Sequence, residues 1–385
     1  MYEKIREDLY RFNSLADLSD DELIKVINSI ALRHCKNKKF SVSERDAIVR
    51  KVFCSVRGLG VLDELLADDD ISEIMVNSYD ELFIEKHGKV QKSEVSFDNE
   101  KELMDVIQRI VGRSGREVNT AKPIVDTRLP GGERVNVVLP PISIRGPVMT
   151  VRKFPKKRIT IEDLIDNGTL TDEAAQFLKR TVEEKCNIFI SGGTSSGKTT
   201  FLNVLSDFIP ENERIITIED SAELQLRGIK NLIRMEVRNA NTTGNGEVGM
   251  KELIRTSLRM RPDRIIVGEV RGEEALDMLN AMNTGHDGSL STGHANSSYD
   301  MLYRLESMIL QSGISFPLMA VRQHIFSAID IIVHLARTAD GKRRVVEISE
   351  IEAIKDDNFL LNTLYCHTGG VLVETGQRMK RKKND

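Results

Sequence analysis

The sequence predicts an α/β protein, and three observations carry that prediction. From Thr160 onward short apolar runs alternate with helical patterns, as in a three-layer domain built on a mostly parallel sheet. One of those runs, Asn187-Ile188-Phe189-Ile190-Ser191, leads into a glycine-rich turn and then a helix. The preceding stretch, Val61 to Phe154, mixes strands and a helix in another rhythm and reads as a separate α+β domain.

Residues 1–58 show helical spacing at Leu23, Ile24, Ile27, Ile30 and Ala31 and end near Gly58 and Gly60, which predicts a small helical module. The α+β domain, 61–154, opens with strands at Glu73–Asn77 and Glu81–Glu85 and a hairpin turn at His87-Gly88. Asp98 is placed to cap a helix carrying Leu103, Val106, Ile107 and Ile110. Strands at Arg134–Leu139 and Val148–Arg152 bracket a Pro-Pro and an Arg-Gly-Pro turn. Pro155 and the basic run Lys156-Lys157-Arg158 make a linker over 155–160.

The last domain, 161–385, begins with Thr160 and Asp163 as a capping box, and Thr171 caps the next helix. Strands are expected over 187–191, 214–219, 232–237, 264–269 and 289–292, and helices over 250–260, 272–283 and 297–310. Pro317 opens one more helix; a hairpin turning at Asp340-Gly341 and a basic tail from Arg378 to Lys383 follow.

Between the first of these strands and its helix lies Gly192-Gly193-Thr194-Ser195-Ser196-Gly197-Lys198-Thr199, followed by Thr200, which fits the phosphate-binding loop without a gap. The glycines let backbone N–H groups turn inward around phosphate oxygens, and the helix N-terminus adds positive potential. Lys198 would reach the β- and γ-phosphates of ATP, and the Thr199 hydroxyl would sit on Mg²⁺.

Hydrolysis needs more: a carboxylate that handles water and positive charge for the transition state. Arg264–Glu269 is an apolar strand ending in an acid, and Ile215–Asp220 is a second. Neighbouring parallel strands would bring both tips together, so Glu219 and Glu269 are joint candidates for activating water and for holding metal-bound waters. Gly268 stands where an aspartate is common. His294, in a turn rich in Gly, Ser and Thr, is placed to sense the γ-phosphate, whereas His286 lies eight residues away and makes a poor zinc pair with it. Arg259, Arg261 and Arg271 flank the second acid, while Arg134 and Arg152 lie on strands of the preceding domain.

Composition excludes several classes. The chain has 385 residues, 40% hydrophobic and 30% charged, long enough for two or three domains and unlike a disordered protein. A net charge of −4 and 5% aromatic residues offer neither a basic grip nor a stacking path for nucleic acid. The charged start is unlike a signal peptide, no run approaches a membrane span, and the four cysteines lack metal-ligand spacing. The expectation is a cytoplasmic protein that meets a membrane through a partner.

In this order, the phosphate loop, the Ile-Glu-Asp strand, Arg259-Met260-Arg261-Pro262-Asp263-Arg264 through Ala275, and Thr284-Gly285-His286-Asp287-Gly288-Ser289 resemble the secretion ATPases of type II and type IV systems. The stretches Arg128–Asn136, Thr150–Pro155 and Leu276–Asn283 are most similar to the CpaF-type ATPase of tight-adherence (Flp) pilus assembly. The resemblance covers about Gly60 to Glu350. It implies a hexameric ring whose subunits hinge a PAS-like N-terminal α/β domain to a RecA-like domain, with ATP between them. It matches Glu269 to an atypical Walker B glutamate, Glu219 to the acid of the Asp box, and His294 to the His box. Arg134 and Arg152 match N-domain arginines that approach the nucleotide phosphates. The implied function is a Mg²⁺-dependent motor that works on pilins through an inner-membrane platform protein. A conjugation-type (VirB11-like) motor and a nucleotide-gated scaffold with little turnover are the alternatives. One departure is Gly293, where the family carries leucine, and this predicts a looser loop around His294.

Overall fold

The computed structural model describes residues 4–5, 8–9, 18–35, 42–153, 158–238, 246–313, 316–338 and 340–380. Most of the expected linker at Pro155–Lys157 and the end of the basic tail, 381–385, lie outside the described residues. The chain divides into two compact units, Met1–Lys157 and Arg158–Asp385.

Unit 1 opens with helices α1 (Asp20–Cys35) and α2 (Val42–Arg57). Ser19 and Glu22 cap α1 reciprocally, each side chain accepting from the other's backbone N–H. Leu23, Ile27, Ile30 and Ala31 recur at helical spacing and bury against Val49 and Val52, a small core of their own. After α3 (Val61–Ala67) come β1 (Ile71–Ser78), β2 (Glu81–Lys86), β3 (Lys89–Lys92), α4 (Glu100–Arg113), β4 (Ile124–Arg128), β5 (Arg134–Val138) and β6 (Val148–Arg152). The sheet runs β3-β2-β1-β6-β5-β4, and every neighbouring pair is antiparallel. Its alternating apolar residues join Leu103, Val106, Ile107 and Ile110 of α4 in one core. The cap of α4 is Asn99, not Asp98: Asn99 Oδ1 accepts from Glu102 N at 3.0 Å. Asp98 instead donates its amide to the Glu102 carboxylate, which puts it one position outside the cap.

Unit 2 follows the expected alternation. Thr160 and Asp163 form a capping box on α5 (Ile161–Asp166), and Thr171 caps α6 (Asp172–Glu183). Then come β7 (Ile188–Gly192), α7 (Lys198–Ser206), β8 (Arg214–Glu219), β9 (Asn231–Glu236), α8 (Met250–Ser257), β10 (Arg264–Val267), α9 (Glu274–Asn283), β11 (Leu290–His294), α10 (Ser298–Gln311) and α11 (Leu318–Ala328). The chain ends in β12 (Ile331–Arg337), β13 (Arg343–Lys355), β14 (Asn358–Thr368) and β15 (Val371–Glu374).

The nine strands β7 to β15 form one sheet, in the order β15-β14-β13-β12-β7-β11-β10-β8-β9. From β12 to β9 the pairs are parallel; β12 to β15 are antiparallel. Alternate residues of the buried strands feed two apolar clusters, Phe189, Ile216 and Val267 in one and Ile188, Ile190 and Ile266 in the other. The four-strand C-terminal extension goes beyond the single hairpin expected there. Its second turn has Asp356 and Asp357 at φ 49° and 58°, the left-handed pair that a two-residue hairpin uses.

The N-terminal ends of the parallel strands are pinned by buried polar groups. Arg264, fully buried, pairs with Glu213 and donates to the Val182 carbonyl. Asn187 bonds the Ala328 carbonyl and the Ser289 amide. With one end fixed in this way, the opposite ends of β7, β8, β10 and β11 are free to carry loops.

Candidate functional site

Those C-terminal strand ends bring together the residues singled out in unit 2. The phosphate loop leaves β7 at Gly192 and enters α7 at Lys198, with Gly197 at φ 97° as the N-cap, a conformation that excludes most side chains. Beside β7, β11 is in register so that His294 stands opposite Gly192. On the other side of β11, Val267 of β10 pairs with Ile218 of β8, which places Glu219 and Glu269 at adjoining tips.

The side chains are joined in a string of alternating charge. Lys198, 7% exposed, donates to the carbonyls of Gly192 (3.1 Å) and Gly193 (3.0 Å) and lies 3.2 Å from His294 Nδ1. An ammonium has only donors, so Nδ1 accepts and the imidazole proton sits on Nε2. Nε2 lies 2.6 Å from Glu269 Oε1, an ion-pair distance at which Oε1 nevertheless receives no aligned hydrogen bond. The other carboxylate oxygen, Oε2, accepts from Arg271 Nε (2.9 Å) and Nη2 (2.6 Å). Arg271 Nη1 reaches Asp220 Oδ2 at 3.1 Å. Burial lowers the Lys198 ammonium and the His294 imidazole from their usual pKa values, and the Glu269 charge opposes both shifts.

Glu219 is different. It is 3% exposed, and its Oε2 accepts from the backbone of Glu223 (2.7 Å) and Leu224 (2.8 Å). Its Oε1 is buried with no partner. Burial outweighs the two backbone donors and pushes the carboxyl up to about 7. The glycine at 268 has a spatial reason: a Cβ there would stand 3.0 Å from Glu219 Cγ, so Glu219 fills the place that a side chain would need. An orphaned, buried carboxylate oxygen at the tip of β8 suits a metal-bound water, and Thr199 lies in the first turn of α7.

The looser loop expected from Gly293 is not found. Gly293 lies within β11, paired with Ser191, and a Cβ would stand 2.8 Å from Met301 Sδ and 2.9 Å from Phe189. Those two side chains already occupy the space, so the strand before His294 is tightly packed. His286 stays apart, its Nδ1 3.2 Å from the Ala281 carbonyl. Among the described residues no group of His, Cys, Asp and Glu is disposed to hold a metal by itself, and Cys186 and Cys366 are free thiols.

Three contacts escaped sequence reasoning. Arg271 turns back on Glu269 after the strand end, which its position two residues on could have suggested. Arg343 Nε donates to the Ser195 carbonyl at 3.0 Å across 148 residues, and Ser191 Oγ lies 2.7 Å from His334 Nδ1 across 143; neither separation leaves a local signal. In unit 1, Arg134 and Arg152 are direct cross-strand partners, and Arg128 stands opposite Arg134 on its other side.

A strand–loop–helix phosphate cradle with acids at the adjoining strand tips defines a P-loop ATPase. The chain belongs to the family described as type II/IV secretion system protein, which it matches over residues 56–378, a family of ATP-hydrolysing enzymes. It is 33% identical over 309 residues to a putative conjugal transfer protein of Mycobacterium tuberculosis, covering 79% of this chain and 87% of the relative. It is 34% identical over 301 residues to the probable conjugal transfer protein TrbB of Sinorhizobium fredii, covering 76% and 87%. The fold is similar to that of the ATPase DotB of Legionella pneumophila, with a TM-score of 0.54 and 22% identity over 76% of this chain and 81% of that one.

Proposed function

We propose that this ATPase is a Mg²⁺-dependent motor that assembles or secretes Flp/type IV-like pilins through an inner-membrane platform protein. The observation that carries the motor reading is the string Lys198–His294–Glu269–Arg271, which ties the phosphate loop to the acid strand within one unit. Gly192–Thr200 would hold the triphosphate, and Thr199 would hold Mg²⁺, with Glu219 or Glu269 acting through water. When bound, Mg²⁺ would supply positive charge to offset that of the phosphates. Glu269 or Glu219 orients and deprotonates water, and His294 senses the γ-phosphate. Arg134 and Arg152 bring charge to the transferred group when a subunit closes or a neighbour docks.

The working form in this reading is a hexamer at the cytoplasmic face of the membrane. No described helix is long and apolar enough to cross a membrane. In this reading the platform protein supplies the anchor. The pilin cargo rests on the CpaF-like stretches Arg128–Asn136, Thr150–Pro155 and Leu276–Asn283 and on a net charge of −4. A conjugation-type motor is the second reading, favoured by the conjugal transfer proteins that share a third of the sequence.

Steady-state hydrolysis measured against protein concentration, with Lys198→Ala as blank, tests the motor. Specific activity should climb as subunits assemble. Activity no higher than the blank, with nucleotide still bound, would favour the scaffold. Deleting the chain in its host separates the cargoes: loss of surface pili supports pilin assembly, and loss of DNA transfer alone supports conjugation.

A further inference from the structure

Arg271 is 59% exposed in its side chain, yet it makes three polar contacts with two acids at the tips of two strands. Two of its nitrogens converge on Glu269 Oε2, and the third reaches Asp220, the residue after β8. A guanidinium is a planar fork that can hold two carboxylates in fixed relation, which a lysine ammonium cannot reproduce. With Oε2 claimed by Arg271, Oε1 of Glu269 is the oxygen that faces His294, the residue that in turn meets the loop lysine.

We infer that Arg271 is a positioning residue for hydrolysis: it bridges Glu269 to Asp220 and so fixes which oxygen of Glu269 is turned toward the phosphate site. This rests on the ATPase reading with Glu269 acting on water. In this assignment Arg271 acts through Glu269 rather than on the phosphate itself. Its exposure also separates it from the buried Arg264–Glu213 pair, whose surroundings mark it as a fixture of the fold. If Arg271 were an ordinary surface ion pair, its removal would cost little and would leave turnover alone.

Single-turnover hydrolysis of labelled ATP by excess protein, together with the Kd for a fluorescent ATP analogue, decides the matter. The variants are Arg271→Ala, Arg271→Lys, Glu269→Gln and the double variant Glu269→Gln/Arg271→Ala. Arg271→Ala should slow hydrolysis by about 10- to 100-fold, a fraction of the ~100- to 10,000-fold that removal of a general base gives. The Kd should stay within about twofold, since positioning acts on the transition state rather than on binding. Arg271→Lys should recover part of the loss, because it can meet Glu269 but not bridge to Asp220. The double variant should be no slower than Glu269→Gln, because a residue that acts through Glu269 has nothing left to position. Wild-type rates in Arg271→Ala, or a loss that adds in full to that of Glu269→Gln, would overturn the assignment. Wild-type rates in Glu269→Gln, with Arg271→Ala slow, would remove instead the role given to Glu269.

Discussion

Around the phosphate loop of unit 2 the charges alternate in sign, whereas in unit 1 Arg128, Arg134 and Arg152 stand side by side across three strands. In the first arrangement Lys198 is held by His294 and two loop carbonyls, and Glu269 lies between His294 and Arg271. The second puts like charges directly opposite, which costs roughly 0.2–1 kcal/mol a pair in a sheet. Glu73 stands opposite Arg152 on β1. In unit 2 acid and base alternate at the strand tips, whereas in unit 1 the cross-strand register sets arginine beside arginine.

The largest effects are expected at Lys198 and Glu269. Lys198→Ala removes the cation that Gly192, Gly193 and His294 hold in place, and nucleotide affinity and turnover should both collapse to background. Glu269→Gln should lower kcat by about 100- to 10,000-fold while the nucleotide Kd is kept. Retained turnover in Glu269→Gln would move the water-handling role to Glu219.

Next comes the arginine row. Arg152→Ala should reduce turnover strongly, with about 1,000-fold as the lower end for an arginine that neutralises transferred phosphate. The same change removes one like-charge pairing with Arg134 and one opposite-charge pairing with Glu73, each worth roughly 0.2–1 kcal/mol, so the stability of unit 1 should hardly move. Loss of activity at unchanged stability is the signature; a protein that loses both would show that Arg152 is structural. Chemical denaturation and hydrolysis on one preparation read the two effects together.

The third effect is on packing alone. Gly293→Leu must push a side chain into Met301 and Phe189, and overpacking of this sort costs about 1–3 kcal/mol. The denaturation midpoint should fall, and His294 should lose its register against Gly192. An unchanged midpoint would mean that Met301 swings away at little cost, as a flexible thioether can.

What could be read in the sequence follows the range of the interactions. The phosphate loop, the capping box at Thr160, the cap at Thr171 and the buried strands β7, β8 and β10 are set by neighbours within a few residues, and each was legible. Glu219 and Glu269 could be paired because parallel topology forces adjoining tips together. The C-terminal strands were read only as one hairpin, since β12 is parallel to β7 across more than 130 residues and its pattern alone does not say which strand it joins. Gly293 misled for a related reason: freedom of the backbone is local, but the Met301 and Phe189 side chains that remove it come from α10 and β7. Arg271 was noticed as a charge near the acid, but its direction back toward Glu269 depends on the loop after β10.

The smallest effect tests how the alternating site responds to pH. His334 is 5% exposed beneath the loop, its Nδ1 2.7 Å from Ser191 Oγ. Burial lowers its pKa below the ordinary 6.5, with Glu347 and Asp300 opposing and Lys198 assisting. A histidine held neutral in the folded state takes up its proton more readily when unfolded. Its contribution is therefore complete above pH 6.5 and is lost as the pH falls from there through the folded value. His334→Gln keeps a polar group for Ser191 but cannot titrate. The stability difference between wild type and His334→Gln should thus be largest near neutrality and shrink on acidification, by no more than about 1.4 kcal/mol per pH unit for one proton. Denaturation midpoints at several pH values measure it. Parallel curves would show that His334 takes up its proton equally in both states, and burial would then have no hold on its charge.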